Sequence, residues 1–130
     1  MLKALGAVLA TAIVVGGAVP MAFAADLLPL KVGGYVDQKV SCQEGGNANS
    51  IIFEGSGFHV SRALETDKLL SRHGNTFRLK VSMSDASDIM NPKSMRARVE
   101  TVIIHSPTNF TLISPYGTTT YQWCSADMVL

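Results

Sequence analysis

The cleanest alternation in the chain is TFRLKVSM, Thr76 to Met83. Phe77, Leu79, Val81 and Met83 fall on one face, and Thr76, Arg78, Lys80 and Ser82 on the other. A period of two is the signature of a strand with one buried face. The same period recurs in MRARVETVIIHS, Met95 to Ser106. It places Met95, Ala97, Val99, Thr101 and Ile103 inward and Arg96, Arg98 and Glu100 outward. FTLIS, Phe110 to Ser114, and TTTYQWC, Thr118 to Cys124, read as two more strands, with SPTN and PYGT as the turns before them. SIIFE and FHVS flank a GSG turn and predict a hairpin, Lys31 to Val36 reads as a short first strand, and QEGGNANS, Gln43 to Ser50, is a loop of turn formers.

One segment admits two readings. RALETDKLLSRHG, Arg62 to Gly74, could be a short helix ending at Gly74, or a strand over Lys68 to Arg72 joined to TFRLKVSM through His73-Gly74-Asn75. The hairpin spacing favours the strand. Six to eight short strands with turns every eight to twelve residues predict an all-β fold, a small antiparallel barrel or sandwich.

The N-terminus follows a different pattern. MLKALGAVLATAIVVGGAVPMAFAAD has a basic residue at Lys3, an uncharged apolar run from Leu5 to Val15, Pro20, and small residues at Ala22 and Ala24. This is the layout of a secretory signal peptide, with cleavage expected after Ala24. The apolar run is short for a membrane anchor and is interrupted by Gly16 and Gly17. The expected mature chain, residues 25–130, is one β domain without a membrane span. Eleven basic residues less Lys3 leaves ten, against ten acidic ones. A balanced chain lacks the basic excess of a nucleic-acid binder.

Export changes the meaning of the cysteines. Cys42 and Cys124 are the only two, and both lie beyond the expected cleavage site. An even count outside the cytosol predicts a disulfide between them. Neither lies in a C-x-x-C motif. Parity puts Cys124 with Thr120 and Gln122, opposite Tyr121 and Trp123, so it either faces outward under a covering loop or sits past a bulge.

Candidate chemistry is sparse. His59, His73 and His105 lie on three separate elements, without the spacing of a metal site. Ser56 in EGSGF lacks the strand-to-helix setting of a nucleophile elbow. No cofactor motif is present, and no acid, base and nucleophile stand in a recognisable set, so the expectation is a protein that binds and does not catalyse. Lys93, Arg96 and Arg98, with Arg78 and Lys80 on the neighbouring strand, could form a basic strip for an anionic partner or an ordinary solvated face. Tyr116 in PYGT is a loop aromatic of the kind that anchors a protein partner.

The leader, the LPLKVGGYV start, the cysteine soon after, IIFEGSGF and the closing YQWC together resemble small exported proteins of Gram-negative bacteria. Among these the architecture is similar to that of the periplasmic inhibitors of C-type lysozyme, which are small disulfide-stapled β-barrels. The resemblance implies a non-enzymatic binding protein, periplasmic or secreted, whose partner is a protein such as lysozyme. By residue type it implies Ser84 or Ser87, and Lys93, as the serine and lysine offered to the lysozyme cleft. Asp85 and Asp88 beside them depart from that family's pattern. The alternative is a structural or interaction component of an envelope or secretion assembly.

Overall fold

The computed structural model describes residues 26–61, 63–85 and 96–130. The expected signal peptide, Ser87, Asp88 and Lys93 lie outside the described residues. Eight strands form one antiparallel sheet: β1 Gly33–Asp37, β2 Ser50–Phe53, β3 Phe58–His59, β4 Ala63–His73, β5 Thr76–Asp85, β6 Arg96–Ser106, β7 Asn109–Ser114 and β8 Gly117–Ser125. Their order, β3-β2-β1-β8-β7-β6-β5-β4, curls until β3 approaches β4, so the sheet is a nearly closed barrel. Every neighbouring pair is antiparallel. The hairpins follow the turn residues read from the sequence; Gly74, for example, has a φ of 61° in the β4–β5 turn.

The segment open to two readings is a strand throughout, and it starts at Ala63, before the expected Lys68. Pairing with β5 along its length satisfies the backbone groups that a helix would have bonded internally.

Alternation fills the interior. Phe77, Leu79 and Val81 of β5 are buried as expected, together with Tyr35, Ile51, Phe53, Phe58, Val102, Ile104 and Phe110. Phe110 is the hub. Its ring lies 5.1 Å edge-on from Tyr35 and 5.3 Å from both Phe58 and Tyr121. Such pairs add about 0.5–1.5 kcal/mol each beyond their buried area.

The two ends of the barrel differ. At the end holding the β4–β5 and β6–β7 turns, the segment before β1 folds inward and buries Leu28 and Leu30 in the core. Leu27 N–H donates to Gly55 O at 2.7 Å, and Lys31 N–H to Pro107 O at 2.7 Å. The Tyr35 hydroxyl donates to Lys31 O at 2.6 Å. These bonds fix a plug in this lower end.

The disulfide is present, Cys42 to Cys124, with Cα atoms 5.7 Å apart. Gly34 pairs with Ser125 while Tyr35 pairs with Trp123, so Cys124 is the extra residue of a β-bulge. It also lies beneath a loop, and the two alternatives read from parity occur together. Residues 38–49 fold back over the outer surface of β1. Gln122 Nε2 donates to Val40 O at 3.3 Å, and a Cβ on Gly45 would stand 2.8 Å from Val36. Val36 points outward yet is fully buried, because this loop covers it.

β6 corrects the sequence reading. Its buried positions are Glu100, Val102 and Ile104, with Arg98 half-buried, while Val99 is 41% exposed. The register decides this. Val102 pairs with Phe77, Glu100 with Leu79 and Arg98 with Val81, and antiparallel partners share a face. Arg78 and Lys80 are opposite Thr101 and Val99 on the outer face. The expected basic strip of Arg96 and Arg98 beside Arg78 and Lys80 therefore does not form, since the two pairs lie on opposite faces of the sheet.

The bridge closes a loop of 82 residues. Replacing both cysteines, Cys42→Ser with Cys124→Ser, should cost about 2–5 kcal/mol of unfolding free energy in urea titration. Exchange of the Val36 amide should rise as its cover loosens.

Candidate functional site

At the upper end no chain segment among the described residues plugs the barrel as Leu28 and Leu30 do below. A cavity of about 270 Å³ opens there, lined among others by Glu65, Met83, Arg98, Glu100, Tyr116 and Tyr121. Ile51, Val60 and Leu112 supply apolar wall. The charged residues arrive through the same pairing that inverted β6. Glu65 of β4 is opposite Met83, Asp67 opposite Val81 and Glu100 opposite Leu79. Three carboxyl groups and one guanidinium thus point toward the barrel interior.

Each has a distinct setting. Glu100 is 4% exposed in its side chain, and Arg98 Nε donates to its Oε2 at 2.5 Å. Arg98 also lies with its Cζ 5.4 Å from the Tyr116 ring centroid and its Nη1 3.8 Å from Met83 Sδ. Asp67 Oδ2 accepts the Phe58 N–H at 2.6 Å, which ties β4 to β3 across the gap in the barrel. A Cβ on Gly57 would stand 2.7 Å from that oxygen, so only glycine lets the carboxylate approach this closely. Asp67 Oδ1 is enclosed and takes no hydrogen bond of standard geometry among the described residues.

Burial dominates the ionisation. It pushes the Glu65 carboxyl up to about 10, helped by Asp67 as hydrogen-bond partner and neighbouring charge and by Glu100, with Arg98 opposing. Glu65 is therefore a neutral acid at pH 7 and can supply the proton that Asp67 needs. Burial also raises Glu100, against the pull of Arg98. Tyr121 is raised by burial and by Asp37.

The residues singled out from sequence are scattered relative to this cavity. Tyr116 is 85% exposed at the tip of the β7–β8 hairpin and stands on the rim. Arg98 lines the cavity, while Arg96 is exposed at the start of β6. Ser84 is only 6% exposed, so its hydroxyl is not offered to a partner. Sequence reasoning missed Glu65, Asp67 and Glu100. The strand offered no local signal for them: Leu69, which shares their parity, is 40% exposed, and Leu64 on the other parity is 43% exposed. Among the described residues, no group of His, Cys, Asp and Glu is placed to hold a metal ion.

The raised Glu65 has a definite consequence for stability. The folded state holds a proton that the unfolded chain releases near the ordinary carboxyl value of 4.5. Its stabilisation is complete below that value and is lost as pH rises toward about 10. The slope from this one group is on the order of 1 kcal/mol per pH unit. Chemical denaturation should show the protein more stable at pH 5 than at pH 8, and Glu65→Gln should flatten the difference. Arg98→Met should cost about 3 kcal/mol at pH 7 by leaving Glu100 buried alone, whereas Arg98→Met with Glu100→Met should recover most of it.

Compared with protein families, curated proteins and solved structures, this chain finds no match.

Proposed function

We propose that this protein is an exported, non-enzymatic binding protein of the bacterial envelope, and that it binds at the upper end of the barrel. The observation that carries this reading is the asymmetry of the two ends. One has Leu28 and Leu30 folded into the core, with a recess beside the plug; the other, among the described residues, has no such plug and opens into a cavity rimmed by an exposed tyrosine and a half-buried arginine. Tyrosine and arginine are the side chains most often found at the energetic centre of protein interfaces. The Tyr116 turn is held by backbone and side-chain bonds, Tyr116 N–H to Ser114 Oγ at 3.1 Å and Ser114 Oγ to Gly117 O at 3.3 Å. A tip fixed in this way loses little entropy when a partner docks. The disulfide supports export, because such bonds persist outside the reducing cytosol.

The narrower version is a lysozyme-inhibitor-like protein. It is supported by architecture alone, a small barrel with one disulfide. It would have to rest on residues other than the buried Ser84. The test is residual cell-wall lysis by a C-type lysozyme with the oxidised protein in excess. Inhibition is expected to weaken at least tenfold in Tyr116→Ala, with the melting temperature nearly unchanged because that ring is 85% exposed. Undiminished lysis at every excess would sink the inhibitor version. Capture from envelope extract, with Tyr116→Ala as control, would then test the broader one: a partner held equally well by both proteins would overturn binding at the upper end.

A further inference from the structure

The upper cavity has a chemical preference, and this inference rests on the reading of that end as the binding end. Its lining carries two carboxyls, Glu65 and Glu100, against one guanidinium, Arg98. Arg98 is already engaged with Glu100 and with the face of Tyr116. Two residues along the same strand face is Asp67, whose enclosed Oδ1 has only the Glu65 carboxyl to supply a proton among the described residues. With Glu65 ionised, the described lining would hold two negative charges against one positive, and a cation would make up the difference. The remaining wall is apolar, formed by Ile51, Val60, Met83 and Leu112, with the Tyr121 ring beside it. A volume of about 270 Å³ falls just under the range of drug-sized pockets, roughly 300–1,000 Å³, and suits one side-chain-sized group.

We propose that the cavity receives an alkylammonium or guanidinium group on a short apolar stem, with the cation against Glu65 and the stem along Met83 and Leu112. The group is either a free amine or a lysine or arginine side chain of a partner protein. An anion would meet two carboxyls before it met an unengaged cation. A neutral apolar ligand would leave the carboxyls buried with nothing gained.

The exchange is balanced. The Glu65 carboxylic acid releases its proton to solvent, and its carboxylate pairs with the incoming ammonium, which keeps all of its own protons. Glu65 is faced by Asp67 on its own strand, by Glu100 and Arg98 from β6, and by Tyr121 from β8. Because the free site holds its proton up to about pH 10, each unit by which the pH rises toward that value should raise the affinity for a permanently protonated cation about tenfold.

The experiment is a titration of the oxidised, isotope-labelled protein with n-butylammonium, followed by the methyl signals of Met83 and Leu112 and repeated with butylguanidinium, 1-butanol and butyrate. Both cations should shift those signals, the two controls should not, and affinity should rise about tenfold per unit from pH 6 to pH 8. Calorimetry in two buffers of different ionisation enthalpy should show one proton released per cation bound. Glu65→Gln, which retains the neutral shape of the wild-type side chain, should bind at least tenfold more weakly and lose the pH dependence. A peptide blocked at both ends and bearing one lysine separates the sources: tighter binding than n-butylammonium assigns the cation to a partner chain, and weaker binding to a free amine. Binding of butanol or butyrate equal to that of the cations, or cation binding without proton release, would overturn the preference while leaving the binding end intact. If none of the probes shifts Met83 or Leu112 at 100 mM, the preference is again overturned, whereas the binding end stands or falls separately on capture through Tyr116.

Discussion

The barrel depends on how it closes. β3 is two residues long and faces the much longer β4, so the backbone ladder that joins every other pair of neighbours cannot complete the ring here. The Asp67 carboxylate stands in for that ladder by accepting the Phe58 N–H. A charge-assisted bond of this kind is stronger than an ordinary amide pairing. It has a cost, because it draws a carboxylate into the interior. The consequences spread from that point. Glu65, two residues earlier on the same face, stays protonated beside it, and Glu100 requires Arg98. Arg98 in turn sits under Tyr116. The polar upper half of the interior can be followed step by step from one seam bond.

The lower half is organised by apolar packing. Phe110 meets aromatic rings from β1, β3 and β8, and so links strands that are far apart in sequence. The plug of Leu28 and Leu30 completes that core from below. Among the described residues the molecule therefore has a plugged, aromatic end and a charged end that opens into the cavity, within a single sheet. The contrast arises because β4 and β6 change character along their length. Each presents charged inward residues near the top, Glu65 and Asp67 on one and Arg98 and Glu100 on the other. Further down, the face of β6 carries the buried Val102 and Ile104, and that of β4 the partly exposed Leu69.

That change of character also explains what could be read from the sequence. Where a strand is apolar on one parity throughout, as in Phe77 to Met83, its inner face was plain. The turns were legible because Gly, Asn and Pro mark them, and the disulfide because only two cysteines exist. β6 was misread because both of its parities contain branched apolar residues, and the charges on one of them suggested solvent. Nothing local distinguishes a charged pair that neutralises itself inside a barrel from two charges in water. Only the register with β5 separates the two, and register is a long-range property. Glu65 and Asp67 were hidden for the same reason. Arg62 to Gly74 was ambiguous because its leucines are spaced to suit either a helix or a bulged strand.

The plug has one more implication, which concerns orientation. Asp26 borders the recess at the plugged end, with Leu69, Arg72 and Phe77. β8 runs toward the same end, and Met128 beyond it packs against Gly34, near the start of β1. Both limits of the described barrel therefore emerge on one side, and the cavity opens on the other. A tag, a resin linkage or a fused domain joined at either limit would leave the mouth pointing away from its support. The protein could be displayed on a surface, as a sensor or as bait, with its charged end free.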